Sequence, residues 1–412
     1  MVLVVGAGRM GSEMMASFRK QRVQVGSSKA AQGESSGSSI PWYVWTGVVA
    51  VTSAYLGGEW DVSWHRSIGR DTFWTAPHMA LYLCAVLGGI IGVVLVVRAS
   101  SGRDVALRAA SVEFFGLHAP LGVFLAGWGG VAMLTSAPFD NWWHNAYGLD
   151  VKLVSPPHVL LILGLRAIAL GMAFLLLAAM NRAAAAGAKN FTRLQLLFVY
   201  LGGLAVGSQM YFVQEYTLDT MLHRASAYIV IAAAIPVVLA AVFEASRFRW
   251  AATTAAGIYT CCVITEILVL PLFPAQPRLG PAFYPVTHMV PAKFPILLLA
   301  PAFLLDLLWQ RTRAWKSWQI ALVSGVVFIA VLVAVEWPFA NFLMSPASEN
   351  RFFGTMYYGF IARSDGFERM HLLFFPQHGF ALLRGLTRAA VVACISCWSG
   401  LEFGRWMRGV QR

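Results

Sequence analysis

The sequence predicts an all-α, polytopic membrane protein, a helical bundle with about ten transmembrane helices and both termini in the cytoplasm. Of its 412 residues, 58% are hydrophobic and only 12% are charged, which is about half the charged fraction of a soluble domain. The apolar residues come in blocks of roughly 20, the length that a helix needs to cross the hydrocarbon core of a bilayer. Short loops rich in Lys and Arg alternate with loops that lack them, and the positive-inside rule places the basic loops in the cytoplasm.

The apolar blocks define the order of the spans along the chain. The net charge of +12 does not indicate a nucleic-acid partner, because the basic residues lie in short loops between spans, where they set topology. All five cysteines fall inside apolar blocks, so no disulfide framework is expected. The predicted spans are roughly 40–57, 73–97, 112–134, 153–180, 193–213, 225–245, 250–272, 284–308, 318–337 and 386–405.

Three regions follow from this order. Residues 1–39 are expected to form a disordered cytoplasmic tail, because "GSSKAAQGESSGSS" is a flexible Ser/Gly-rich linker. The tail also contains "VLVVGAGRMG", a dinucleotide-binding pattern, but a first span near Ile40 leaves no room for the βαβ unit that the pattern requires. Residues 40–180 are expected to form a duplicated four-helix metal-binding unit, and 181–412 a six-helix unit with an extracytoplasmic loop over 338–385.

Two segments, "WDVSWHRSIGRDTFWTAPH" and "FDNWWHNAYGLDVKLVSPPH", repeat one pattern of polar residues. In each, an Asp lies four residues before a His, and a second His follows the first after thirteen or fourteen residues. A proline precedes the second His in both segments. The first set is Asp61, His65 and His78, and the second set is Asp140, His144 and His158.

This spacing predicts that each segment offers one carboxylate and two imidazoles to a single ion. Residues four apart lie on the same face of a helix, and a proline opens the following helix, whose first turn returns the second His. Such a ligand set suits copper, zinc or iron(II), and three protein ligands leave positions open for water, O₂ or substrate. The alternative is structural, with the aromatic and His residues as interfacial anchors and the Asp residues as helix caps. The repetition of order and spacing favours the metal interpretation.

The first segment resembles the first metal motif of the C subunit of particulate methane and ammonia monooxygenases, which reads D-x-x-W-H and then R-D-T-x-F-T-P-x-H. The second segment is similar to the N-x-x-x-H motif of that family mainly in spacing, and it has Asp140 where the family has Asn. The resemblance covers about residues 40–180. The matching residues of the first motif are Asp61, Trp64, His65, Arg70, Asp71, Thr72, Pro77 and His78.

The resemblance implies copper at both sites, in preference to zinc or iron, and O₂-dependent hydroxylation of a small apolar substrate. It also implies companion membrane subunits or a homo-oligomer within the lipid bilayer. The expected location is a bacterial-type inner or intracytoplasmic membrane, with the metal sites near its extracytoplasmic face. Arg70, Asp71 and Asp150 are expected to lie beside the ligands and to orient them.

Further candidate ligands lie later in the chain. "LDTMLHR" repeats the Asp-to-His spacing with Asp219 and His223, and His288 follows a proline, as in a split third copy. His371 and His378 precede the last span. The predicted topology places eight of the nine histidines at the extracytoplasmic face, with His118 in the third span as the exception.

Two classes of function stay open. In the first, the chain is a component of a copper-dependent membrane monooxygenase. In the second it binds, stores or delivers copper or zinc without catalysis, or it is a structural subunit of a membrane complex. Transport is disfavoured because the candidate ligands gather at one face and do not line the depth of the membrane. The two classes separate on whether open coordination positions face an apolar pocket.

Overall fold

The computed structural model describes residues 39–69, 74–147, 155–278, 286–350, 352–353 and 372–412, which form one helical bundle. The predicted tail over 1–39, except its last residue, and residues 351 and 354–371 of the predicted loop after the ninth span lie outside these ranges. The described α-helices are α1 (Trp42–Ser67), α2 (Ala76–Ser100), α3 (Val105–Ala109), α4 (Leu121–Tyr147), α5 (Pro156–Ala185), α6 (Phe191–Val213), α7 (Ala225–Ser246), α8 (Ala251–Val269), α9 (Leu299–Arg311), α10 (Ser317–Leu343) and α11 (Gly379–Met407).

Eight helices in the described residues are long and apolar enough to cross a membrane, which confirms an all-α bundle of the membrane type. They are α2, α4, α5, α6, α7, α8 with the short 3₁₀-helix that extends it to Leu272, α10 and α11. The α1 helix has 26 residues, but its last third carries Glu59, Asp61 and His65, which reduce its mean hydropathy. The count of ten spans and the cytoplasmic termini stay predictions.

Several predicted boundaries differ from the structure. The first span was expected to end at 57, but α1 continues to Ser67, and the third was expected to end at 134, but α4 continues to Tyr147. The third span was expected at 112–134, but Val112–Phe114 (β1) and Leu117–Ala119 (β2) form an antiparallel hairpin and α4 begins at Leu121. His118 therefore lies in a strand, and the prediction that it lies in a membrane span is wrong. The loop predicted over 338–385 is shorter, because α10 continues to Leu343 and α11 begins at Gly379.

The eighth predicted span, 284–308, is not a continuous helix. Within it, residues 286–298 are almost entirely without regular structure, and the helix that follows, α9, has 13 residues. A helix of that length extends about 20 Å, which is too short to cross the roughly 30 Å hydrocarbon core alone. Pro291 and Pro295 explain the interruption, because each lacks the backbone N–H that a helix interior requires.

The first half of the bundle consists of two helix hairpins, α1–α2 and α4–α5, which pack on each other through α2 with α4 and α1 with α5. Glycine permits the closest contacts. A Cβ at Gly129 of α4 would lie 2.5 Å from the carbonyl oxygen of Gly164 of α5, and one at Gly122 would clash with the carbonyl oxygen of Gly171. The backbones of α4 and α5 therefore touch over two turns, as in other membrane helix pairs with small residues at the interface.

A second hydrophobic core lies among α6–α11, where α7 and α11 form the largest contact. The buried carboxylate of Asp306 in α9 holds the start of α8, since it accepts hydrogen bonds from the backbone N–H groups of Ala252 and Thr253. The end of the chain is attached to the first half of the bundle, because Asn181 donates hydrogen bonds to the carbonyl oxygens of Met407 and Val410.

Substitution of Gly129 by Ala should weaken the α4–α5 contact. The added methyl group would overlap the Gly164 carbonyl and the Ile168 backbone, and such overpacking costs about 1–3 kcal/mol. We expect a lower unfolding temperature in detergent. Gly130→Ala is the matched control, because no atom lies within 4 Å of the added group. Equal unfolding temperatures for the two variants would show that this backbone contact does not stabilise the hairpin.

Candidate metal centre

The first Asp–His set forms at the turn between α1 and α2. Asp61 and His65 lie on the same face of the last turns of α1, and His78 lies in the first turn of α2, next to Pro77. The two carboxylate oxygens of Asp61 face different rings: Oδ2 is 3.6 Å from Nε2 of His65, and Oδ1 is 3.4 Å from Nε2 of His78. The predicted arrangement of one carboxylate between two imidazoles is present.

The second set has the same geometry at the turn between α4 and α5. Oδ2 of Asp140 is 3.2 Å from Nε2 of His144, and Oδ1 is 3.6 Å from Nε2 of His158. Ser155 caps α5, since its hydroxyl accepts a hydrogen bond from the backbone N–H of His158 at 3.4 Å. This cap and the prolines that follow it fix where α5 begins, and His158 in its first turn therefore lies beside Asp140.

Both sets lie at the same end of the four-helix unit. The α2 helix runs away from the first set. Near its end, the hydroxyl of Ser100 forms hydrogen bonds with the backbone N–H and carbonyl groups of His118 in β2. The α4 helix begins two residues after that strand and runs back. The ends of α1 and α4 that carry Asp61 and Asp140 therefore face the same side.

The distances between the carboxylate oxygens and the imidazole nitrogens are close to the distance between two ligand atoms that bind one ion. Three of the four exceed the range of about 2.7–3.2 Å that N–H···O hydrogen bonds occupy. Two ligand atoms bound at about 2.0–2.1 Å to a tetrahedral ion are about 3.3–3.4 Å apart. However, no three His, Cys, Asp or Glu side chains within the described ranges converge as a complete ligand group. In each set the two imidazoles approach opposite oxygens of the carboxylate.

The second set contains polar atoms that have no hydrogen-bond partner among the described residues. Oδ1 of Asp140 and Nδ1 of His158 are buried and make no hydrogen bond with the described residues. Buried polar atoms of this kind are rare and call for a water or an ion as partner. The donor set and these two atoms therefore fit a bound cation.

Aromatic side chains surround both sets. The ring of Tyr82 lies 6.0 Å from that of His78, and Phe139, Trp142, Trp143 and Tyr147 form one cluster at the end of α4. Trp142 is 54% exposed. An exposed aromatic cluster at a helix end is typical of the membrane interface.

Two serines that the sequence did not single out hold the end of α1. The hydroxyl of Ser63 donates to the carbonyl oxygen of Val290 at 2.6 Å, and the hydroxyl of Ser67 accepts from the N–H of Val290 at 2.7 Å. These serines lie on either side of His65 along the helix. Their partner is in the extended segment 286–298, which no local sequence pattern around the motif could reveal.

The third predicted set does not form. Residues 219–221 adopt a 3₁₀-helix, so Asp219 and His223 do not share the face of an α-helix. The Nε2–H of His223 donates to Oδ1 of Asn341 at 2.7 Å, whereas Asp219 interacts electrostatically with Lys293. Burial lowers the pKa of His223 and raises the pKa of Asp219, and the positive charge of Lys293 opposes the second effect.

The remaining candidates are separate from the two sets. His288 lies in an isolated bridge with Pro274, and its Nδ1 is 2.9 Å from the hydroxyl oxygen of Thr287, so the predicted split third copy does not assemble. His378 occupies the position before α11. The predicted residues Arg70, Asp71, Asp150 and His371 lie outside the described residues.

The chain is thus a helical bundle of the membrane type with two carboxylate–dihistidine clusters at one end. Comparison with protein-family models, with curated proteins and with solved structures finds no match for it.

Replacement of Ser67 by Ala should destabilise the end of α1. The substitution leaves the buried N–H of Val290 without its hydrogen-bond partner, and such a loss costs about 1–3 kcal/mol. We expect a lower unfolding temperature, and Ser399→Ala serves as control because that hydroxyl is exposed and bonds only within its own helix. If Ser67→Ala and Ser399→Ala unfold at the same temperature, the contact with Val290 does not hold the helix end.

Proposed function

We propose that this chain binds two metal ions, one through Asp61, His65 and His78 and the other through Asp140, His144 and His158. The observation that supports the proposal most strongly is the repeated geometry, in which both oxygens of an Asp face imidazole nitrogens at 3.2–3.6 Å in two separate hairpins. A helix cap explains neither case, because each Asp lies near the C-terminal end of its helix, where a carboxylate opposes the helix dipole.

Each residue has a separate role in this proposal. The neutral imidazoles supply nitrogen ligands through Nε2, and the carboxylate supplies oxygen and a negative charge that offsets the charge of the cation. Rotation of side chains about the carboxylate brings both rings to one ion. The i,i+4 pair on one helix fixes two ligands relative to each other, and the first turn of the next helix adds the third. Metal binding therefore joins the ends of two helices.

We propose copper as the metal, because the first motif resembles the copper-binding motif of the monooxygenase C subunit. Bound copper would supply redox chemistry with O₂. Hydroxylation of an apolar C–H bond places one oxygen atom in the product and reduces the other to water, with consumption of two electrons and two protons. A companion subunit or a membrane-soluble organic reductant has to deliver these electrons. The aromatic clusters beside both sets provide apolar surface for a small substrate.

A second function, storage or delivery of copper or zinc, is favoured by the exposure of the first set. The side chain of His65 is 47% exposed, so a metal held there can exchange with a carrier. Among the described residues, an apolar pocket lies away from both sets, beside Ile296 and Val335. Hydroxylation requires a substrate pocket at the metal, whereas storage requires only access.

Loss of one histidine should remove one metal ion. We expect purified protein to hold two copper ions per chain, and His65→Ala and His144→Ala each to hold one, as measured by elemental analysis with electron paramagnetic resonance of Cu(II). His118→Ala is the control, because that residue lies in β2 beside Glu113 and outside both sets. Retention of two ions in both single variants, or absence of metal from the wild type, would overturn the proposal.

Removal of the charge of the carboxylate should weaken the site without removing its shape. Asp140→Asn keeps an oxygen in place but loses the negative charge that stabilises the cation, so we expect copper affinity at the second site to fall about tenfold or more. The measurement is competition with a chelator of known affinity, with Asp104→Asn as control, since Asp104 caps α3 at a distance from both sets. Unchanged affinity in Asp140→Asn would show that the carboxylate is not a ligand.

A further inference from the structure

Residues 286–298 cross the interior of the bundle without forming a helix. In an apolar environment, irregular backbone is tolerated only where the protein satisfies its polar groups or where it lines a polar cavity. Here side chains from other helices accept hydrogen bonds from the backbone N–H groups of the segment. The N–H of Ile296 donates to the hydroxyl of Tyr259 in α8 at 3.2 Å, and the N–H of Leu297 donates to Oε2 of Glu336 in α10 at 2.9 Å.

Glu336 is the most deeply buried acid in this region. Its residue exposure is 0%, and it lies near the C-terminal end of the apolar helix α10. Oε2 lies beside the start of α9, whose positive dipole end stabilises negative charge there. Oε1 is also buried but makes no hydrogen bond with the described residues. Oε2 of the carboxylate therefore has a hydrogen-bond partner in the backbone, whereas Oε1 has none among the described residues.

Charged groups of both signs lie near Glu336. Its carboxylate interacts electrostatically with the carboxylate of Asp219 and with the ammonium group of Lys293, and Lys293 also interacts with the guanidinium group of Arg66. Nζ of Lys293 donates to the carbonyl oxygens of Thr217 and Gln214 at 2.6 and 3.3 Å. An uncompensated charge inside a protein is unfavourable by several kcal/mol, so such charges are paired or bind a cation.

A second unsatisfied oxygen belongs to the same region. The hydroxyl of Tyr228 in α7 is buried, makes no hydrogen bond with the described residues, and interacts electrostatically with Glu336. Tyr228 itself is 0% exposed. Two buried oxygens that have no partner among the described residues therefore lie on two different helices beside interrupted backbone. Interrupted membrane helices are places where proteins bind Na⁺ or H⁺.

We propose that Glu336, with the hydroxyl of Tyr228, forms a binding site for one monovalent cation, taken up as Na⁺ or as a proton. The cation offsets the negative charge of the Glu336 carboxylate and satisfies Oε1. The titratable and charged groups that face Glu336 are Asp219 after α6, Tyr228 on α7, Tyr259 on α8 and Lys293 in the extended segment. Arg66 of α1 interacts with Lys293 and belongs to the same cluster. The site is distinct from the two Asp–His sets and does not depend on their metal.

The test uses the purified full-length chain in detergent, as wild type, Glu336→Gln and the control Glu244→Gln. Glu244 is a nearly buried acid whose charge is already balanced by Arg408 at 2.7 Å. Unfolding temperature is measured in NaCl and in choline chloride at equal ionic strength. The infrared C=O stretch of protonated carboxyl groups is recorded at neutral pH in the absence of Na⁺.

Either form of the cation gives a specific result. If Na⁺ binds, it raises the unfolding temperature of wild type and of Glu244→Gln but not of Glu336→Gln. If a proton binds, Na⁺ has no effect, and Glu336→Gln alone loses a protonated-carboxyl band. Tyr228→Phe provides a second variant if Glu336→Gln does not fold, and it should reduce the Na⁺ response or shift the frequency of the band. The proposal is overturned if Glu336→Gln, or Tyr228→Phe in its place, matches wild type in both measurements.

Discussion

Backbone and side-chain polar groups inside an apolar bundle need partners within the protein, and this requirement determines where the polar residues of this chain lie. Helices satisfy most backbone groups internally. Where the helix is interrupted, over 286–298, Ser63, Ser67, Tyr259 and Glu336 supply the missing partners. The same segment contacts the end of α1, so the first Asp–His set is held in place by the second half of the chain.

The two Asp–His sets depend on how closely their helices approach. Backbone contacts at Gly129 and Gly164 bring α4 and α5 together, and their ends then place Asp140 between the imidazoles of the second set. In the α1–α2 hairpin, Gly57 allows a similar approach to Leu81. Ionisable side chains at the edge of an apolar bundle are costly and usually functional, which is why the proposed metal sites are assigned to these two sets.

The low charged fraction and the length of the apolar blocks were enough to predict the bundle, and the i,i+4 spacing was enough to place an Asp beside each first His. The predicted span boundaries were wrong where local backbone geometry overrode the hydropathy pattern. Phe115 and Gly116 both have positive φ, at 49° and 76°, and form the two-residue turn of a hairpin inside an apolar run. Asp219 and His223 have the predicted spacing, but a 3₁₀-helix turns them apart. The contacts of the extended segment with Ser63 and Ser67 join residues more than 200 positions apart, which no local pattern contains.

X-ray absorption spectroscopy at the copper edge tests the central claim most directly, because it reports the atoms that surround the bound metal. Both proposed sets consist of imidazole nitrogen and carboxylate oxygen, and the cysteines of the chain belong to neither. The account predicts a first shell of nitrogen and oxygen only, with about two imidazole rings per copper ion. Sulfur in the first shell, or an outer-shell pattern without imidazole, would contradict it.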